Sequence, residues 1–122
     1  AGGAGFRVFA GSSTSFYASL CVGASGGILA LACVLPEACA RLARLVGAGA
    51  HDEARGLQRE ILPLAKLLGT RYGVAGLKGA LDLLGYDIGM PRPPLAPLDA
   101  QGRAALEQAL GACRDSLTLH GV

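Results

Sequence analysis

The side chains able to do chemistry are few. Lys66 and Lys78 are the only lysines in the 122 residues. An amine flanked by apolar residues, as Lys78 is, can serve as a nucleophile toward a carbonyl. On an amphipathic helix it more commonly lays its stem on the surface with its head in water, which is the expectation here. Cys21, Cys33, Cys39 and Cys113 contain no pair at the two-residue spacing of a zinc knuckle or redox motif. They read as small buried hydrophobes in a reducing compartment, neither disulfides nor metal ligands. His51 and His120 have no base or metal partner nearby in sequence and read as a helix-start residue and a tail residue. Gly11, Ser12 and Ile28 need a fold before they mean anything. Gly11 follows a run of strand formers, where a missing side chain lets a ligand approach the backbone or simply permits a tight turn. Ser12 can hydrogen-bond a ligand, and Ser12 and Ser13 can equally cap a helix. Ile28 in isolation is a core residue. Arg92, set among prolines, can pair with a carboxylate and pin the chain around it. A phosphate-loop reading of residues 23–27 fails, because no Gly-Lys-Ser/Thr follows.

The elements that must position these residues come in a telling order. Residues 6–10 alternate and are rich in strand formers, and they run into a Ser/Thr-rich helix start. A short helix follows through residues 16–22, and Gly23 stops it. Residues 27–31 are a continuous apolar run suited to a parallel strand buried on both faces. Pro36 and Glu37 then open a helix whose Leu35, Cys39, Leu42 and Val46 share one face, closed by Gly47 and Gly49. Two βα units of this compactness imply a parallel α/β fold. Two parallel strands alone cannot cover both faces of a sheet. Their neighbours are expected from preceding sequence or from another chain.

No strand is expected after residue 50. Asp52 is the expected cap of a helix with Leu57, Ile61, Leu64 and Leu68 on one face, kinked at Pro63. After Gly73 a further helix carries Leu77, Leu81 and Leu84. Residues 85–98 hold Pro91, Pro93, Pro94 and Pro97, four of the six prolines, and form a stiff connector. Asp99 caps a last helix with Leu106, Leu110, Cys113 and Leu117 on one side, fraying from Ser116. The chain thus divides into residues 1–50, two βα units, and residues 51–122, a helical extension.

Composition narrows the function classes. Apolar residues make up 52% and charged residues 16%, which excludes a disordered tail. The net charge of +2, without a basic run, excludes a nucleic-acid footprint. Residues 1–5 lack the basic region of a signal peptide and read as a loop or cut point. Tyr17–Leu35 is uncharged over 19 residues and long enough to cross a membrane. Pro36 and the turn-prone Ser25-Gly26-Gly27 argue against that reading.

The order of Phe6-Arg7-Val8-Phe9-Ala10-Gly11-Ser12, Gly23-Ala24-Ser25-Gly26-Gly27-Ile28, Pro36 and its helix, Gly76-Leu77-Lys78-Gly79-Ala80-Leu81-Asp82, Gly85 and Arg92-Pro93-Pro94-Leu95 resembles the dihydrodipicolinate synthase / N-acetylneuraminate lyase family. The likeness runs from about Phe6 to about Leu110. It implies strands seven and eight of a TIM (β/α)8 barrel, the last two βα units, followed by a three-helix C-terminal extension. Within the family, Arg71-Tyr72-Gly73-Val74-Ala75-Gly76-Leu77-Lys78, Gly85-Tyr86 and Pro91-Arg92-Pro93-Pro94-Leu95 look most like the mitochondrial 4-hydroxy-2-oxoglutarate aldolase branch. Ser12 stands where the bacterial synthase branch usually has an acidic residue, and Cys33 where the family commonly has Asn.

The resemblance implies a class I aldolase. A lysine from strand six forms a Schiff base with a 2-oxo acid, a tyrosine relays protons, and the C–C bond breaks to leave an enamine and an aldehyde. None of those parts matches a residue here, so no catalytic residue is assigned and the chain alone is expected to be inactive. Gly11, Ser12 and Ile28 carry over as substrate-binding residues at the carboxyl ends of the strands. No cofactor and no metal are implied. The expected partners are a small 2-oxo acid and further copies of the complete chain in a dimer or tetramer, without nucleic acid or membrane. Other activities of the family, 4-hydroxy-tetrahydrodipicolinate synthase or another lyase, and a non-catalytic truncated interaction protein with an exposed strand flank stay open.

Overall fold

The computed structural model of the chain describes residues 5–113. Strands β1 (Phe9–Ala10) and β2 (Gly26–Gly27) pair in parallel, Phe9 opposite Gly26 and Ala10 opposite Gly27. Between them the chain makes a 3-10 turn (Ser13–Ser15) and helix α1 (Phe16–Cys21). After β2 come a 3-10 helix (Ala30–Cys33), α2 (Pro36–Gly47) and α3 (His51–Lys66). A π-turn (Leu67–Arg71) leads into α4 (Gly73–Leu83), and an irregular connector reaches α5 (Ala100–Ala112). Among the described residues no strand follows residue 50, as expected.

Both strands are shorter than expected. Of the anticipated runs 6–10 and 27–31, only two residues each are paired, with flanking bonds from the Ser25 amide to the Val8 carbonyl (2.8 Å) and from the Ile28 amide to the Ala10 carbonyl (2.9 Å). Beyond Gly27 the chain coils into the 3-10 helix. Leu29 and Leu31 are buried while Ile28 and Ala30 are exposed. Alternate burial is the signature of a strand, and here an extended residue followed by a tight turn produces it too. Ile28, a core residue on its apolarity alone, is 79% exposed.

Gly23 ends α1 with φ +104°, and the Ala24 amide reaches back to the Ser19 carbonyl at 2.9 Å. This left-handed cap satisfies a carbonyl that would otherwise have no partner. The uncharged stretch 17–35 is thereby split into a helix, a strand and a 3-10 turn, and no helix among the described residues is long and apolar enough to cross a membrane.

One hydrophobic cluster holds the chain together, and it includes Leu31, Leu35 and Leu42 together with Ile61, Leu64 and Leu106. Residues on both sides of position 50 therefore share a core. The faces expected on α2 and α3 are buried at Cys39, Leu42, Leu57, Ile61, Leu64 and Leu68. On α4 the fully covered positions are Gly76 and Ala80, and Leu77, Leu81 and Leu84 are only half-buried. The reason is the close approach of the connector end and α5: a Cβ on Gly79 would meet Leu98 Cδ1 at 2.5 Å and Leu106 Cδ1 at 3.3 Å. Small residues, not leucines, set that contact. In α5, Leu106, Leu110 and Cys113 are buried as expected; Leu117, His120 and the tail lie outside the described residues.

Three local expectations change. Asp52 does not cap α3; Ala50 stands at that position without a side-chain bond, and Asp52 pairs with Arg55 one turn in. Helix α3 continues through Pro63, and the departure from α geometry comes at the π-turn, where the Tyr72 amide donates to the Leu67 carbonyl at 2.9 Å. Cys39 and Cys113 are buried, but Cys21 and Cys33 are exposed. The apolar stretch around Cys21 misleads because Phe6, Val8, Phe9, Val22 and Ile28 form a flank that is apolar and uncovered.

Candidate functional site

Parallel pairing brings the carboxyl ends of β1 and β2 to one edge. With Ala10 opposite Gly27 and the Ile28 amide on the Ala10 carbonyl, Gly11 and Ile28 stand side by side just beyond the strands. Ser12 is next in line, and all three are exposed. Gly11 does not adopt a left-handed φ, and a Cβ built on it would meet nothing within 4 Å. Neither turn geometry nor crowding within the chain demands glycine there, so its open backbone is the feature left to explain. Ser12 and Ser13 make no capping bond at the helix starts; the Ser12 hydroxyl is instead 2.9 Å from that of Thr14.

Two residues that sequence reasoning passed over hold this edge. Phe16 is 3% exposed and packs on β2 so tightly that a Cβ on Gly27 would lie 2.8 Å from its ring. Gln58, on α3, accepts from the Tyr17 amide at 2.9 Å and donates from Nε2 to the Ser13 carbonyl at 3.1 Å. The position of Gln58 beside the buried Leu57 hinted at a half-buried amide, but nothing in sequence joins it to residues more than 40 positions away. His51 likewise has long-range partners: its Nδ1 lies 3.1 Å from the Tyr17 hydroxyl and 4.0 Å from Cys21 Sγ.

The remaining candidates sit elsewhere. Lys66 is exposed on α3. Lys78 is half-buried and donates at the surface to the Ile88 carbonyl at 2.9 Å, so it ties α4 to the connector. Arg92 is exposed and enters a turn through its backbone, its carbonyl accepting from the Leu95 amide at 3.0 Å. The carboxylate expected for its side chain is not found in the ion pairs of the described residues. No group of three or more His, Cys, Asp or Glu side chains able to hold a metal occurs among those residues. Burial pushes the Cys39 and Cys113 thiols up to about 11, with the Glu60 charge adding to the shift at Cys113.

Beside the strands, Phe6, Val8, Phe9 and Val22 border an open groove with Ser19 and Ser25. The geometry is that of a barrel edge: parallel strands, helices on the outside, and an uncovered apolar flank.

Comparison with known proteins agrees. The model of the dihydrodipicolinate synthetase family matches residues 2–113. The 4-hydroxy-tetrahydrodipicolinate synthase of Exiguobacterium sp. is 33% identical over 106 residues, 87% of this chain and 36% of that protein. A DapA-like lyase of Halobacterium salinarum is 38% identical over 101 residues, 83% of this chain and 33% of the relative. The solved 4-hydroxy-tetrahydrodipicolinate synthase of Methylacidiphilum fumariolicum SolV superimposes with a TM-score of 0.83 at 30% identity, covering 93% of this chain and 38% of that one. The chain thus spans about a third of the length of the curated relatives it matches. Its fold is the carboxy-terminal portion of a TIM barrel, two βα units with a helical extension. By sequence model, by relatives and by architecture, the chain belongs to the dihydrodipicolinate synthetase family.

Proposed function

We propose that this chain forms one wall of a Schiff-base-forming class I lyase site for a small 2-oxo acid, with 4-hydroxy-2-oxoglutarate, cleaved to pyruvate and glyoxylate, as the substrate. The observation that carries the reading is the juxtaposition of Gly11 and Ile28 at the carboxyl edge of a parallel pair, with a glycine backbone that nothing in the chain itself crowds. Active sites of barrel enzymes form at that edge. Gly11 lets the 2-oxo acid lie against the backbone, Ser12 hydrogen-bonds it, and Ile28 lines the pocket.

The electrophile-forming lysine comes from a strand outside these 122 residues, because Lys66 and Lys78 stand on the helices of the extension. The division into residues 1–50, which carry the site edge, and 51–122, which brace it, belongs to the same proposal. So do a homo-oligomeric complete enzyme, which follows from the family resemblance, and a location that is mitochondrial if the branch resemblance holds and cytoplasmic otherwise. Support for the synthase alternative comes from the 33% identity to the Exiguobacterium synthase.

Pyruvate and borohydride test the chemistry. A polypeptide carrying this sequence together with the preceding barrel strands gains a stable adduct on a lysine outside residues 1–122, and the 122-residue chain gains none. An adduct on Lys78 overturns the assignment. Glyoxylate release from 4-hydroxy-2-oxoglutarate, set against condensation of pyruvate with an amino-aldehyde, separates the two activities.

A further inference from the structure

We infer that Gln58 is a positioning residue for the substrate edge, acting from the helical extension; the inference rests on the lyase reading above. The loop that carries Gly11 and Ser12 lacks the usual local supports. Ser12 and Ser15 occupy the cap positions of the 3-10 turn and of α1, and neither makes a side-chain cap bond. The first amides of a helix need acceptors, and a loop without them is free to shift. Gln58 supplies what is missing from across the fold. Its Oε1 accepts from the Tyr17 amide at 2.9 Å, in the first turn of α1, and its Nε2 donates to the Ser13 carbonyl at 3.1 Å. One amide side chain therefore ties the first residue of the 3-10 turn to the second residue of α1.

The turn in turn fixes Ser12. The Ser12 hydroxyl is held at 2.9 Å by Thr14, which lies within the clamped segment, and Gly11 precedes it directly at the end of β1. Gln58 itself is half-buried between Leu57, 6% exposed, and the fully buried Ile61, so its backbone cannot drift without moving the core. Helix α3 carries none of the proposed substrate-binding residues, yet through Gln58 it sets where the Ser12 hydroxyl and the Gly11 backbone stand. Residue 58 accordingly governs how well the 2-oxo acid is held, without entering the chemistry.

The test uses a polypeptide that contains both this sequence and the lysine-bearing strand, with pyruvate as the probe. Borohydride trapping is followed against pyruvate concentration in the wild type, Gln58→Leu and Gln58→Glu, with the thermal midpoint of each measured alongside. Gln58→Leu removes both bonds and raises the half-saturating pyruvate concentration about tenfold, as loss of positioning by a fraction of an ångström does, while the limiting trapping rate stays within about twofold. Gln58→Glu keeps the acceptor for the Tyr17 amide and recovers part of the affinity. A purely structural role would lower the thermal midpoint and leave the half-saturating concentration unchanged, and that result overturns the proposal. Should Gln58→Leu fail to fold, Gln58→Glu with wild-type affinity and wild-type pH dependence overturns it as well. Absence of any adduct in the wild type withdraws the lyase reading and this proposal together, whereas trapping in the wild type with no change in the variants withdraws the proposal alone.

Discussion

The Ile28 amide donates to the Ala10 carbonyl at 2.9 Å, and this bond sets Gly11 beside Ile28 across a parallel pair. In a parallel ladder the carboxyl ends of both strands face the same way, so the residues just past each end converge on one edge. The edge is made of backbone on one side and an exposed isoleucine on the other.

Two glycines on this edge should respond in opposite ways to an added methyl. Gly27→Ala puts a Cβ 2.8 Å from the buried Phe16 ring and 3.0 Å from Leu29 Cγ. Overpacking of that kind costs about 1–3 kcal/mol, more than the roughly 0.4–1 kcal/mol gained from a stiffer unfolded chain. Gly11→Ala meets nothing within 4 Å and should change stability by no more than about 0.5 kcal/mol. In a complete enzyme Gly11→Ala should weaken pyruvate binding all the same. Urea unfolding of both variants checks the first contrast, and equal destabilisation would contradict the packing described for Phe16.

Asp99 anchors the last helix. Its carboxylate accepts from the Gly102 amide at 2.7 Å, so Asp99→Ala should cost about 1 kcal/mol and Asp99→Asn much less. Chemical denaturation of the two variants measures the difference. An Asn variant as unstable as Ala would mean that charge at the helix start, rather than the cap bond, carries the effect.

What the sequence made legible follows from range. The faces of α2, α3 and α5 were readable because a core stripe repeats within a few residues, as Leu57, Ile61, Leu64 and Leu68 do. Asp99 was readable as a cap because its partner is three residues away. The α4 face was not, since Gly76 and Ala80 are the buried positions and hydropathy favours the flanking leucines. Strand ends were blurred because Leu29, still extended, and Leu31, in the 3-10 helix, are buried in the alternation of a strand. At the candidate site, Gly11 and Ile28 were assigned by position in a family pattern, whereas Phe16 and Gln58 matter through contacts to distant segments that no local pattern encodes.

Lys78 should prove to be a strut. Its ammonium donates to the Ile88 carbonyl, and Lys78→Met keeps the apolar stem while removing that bond. The expected loss of global stability is at most about 1.5 kcal/mol. The larger effect is local, because the connector loses a tether where Tyr86 is 54% exposed and Met90 74% exposed. Limited chymotrypsin digestion should cut near Tyr86 faster in Lys78→Met than in the wild type. Unchanged cleavage would show that the prolines hold the connector unaided.

The cysteines should divide into two classes. Cys21 and Cys33 are exposed and should react with a small alkylating reagent at pH 8 in the folded chain, while Cys39 and Cys113 should stay protected until unfolding. Burial keeps the latter two as neutral thiols with values of about 11, against an ordinary value of 9.0. At pH 8 only about 0.1% of such a thiol is the reactive thiolate. Cys113 also donates to the Glu60 carbonyl at 3.4 Å, a bond that exists only while the sulfur is protonated. The sign for stability follows. A folded-state value above the unfolded one means the folded chain holds its protons longer, so this contribution is fully present below about pH 9 and is lost as pH rises through 11. The urea midpoint should therefore fall over that interval, and less so in a Cys39→Ala, Cys113→Ala double variant. Equal slopes for the two proteins would show that the buried thiols do not set the alkaline limit.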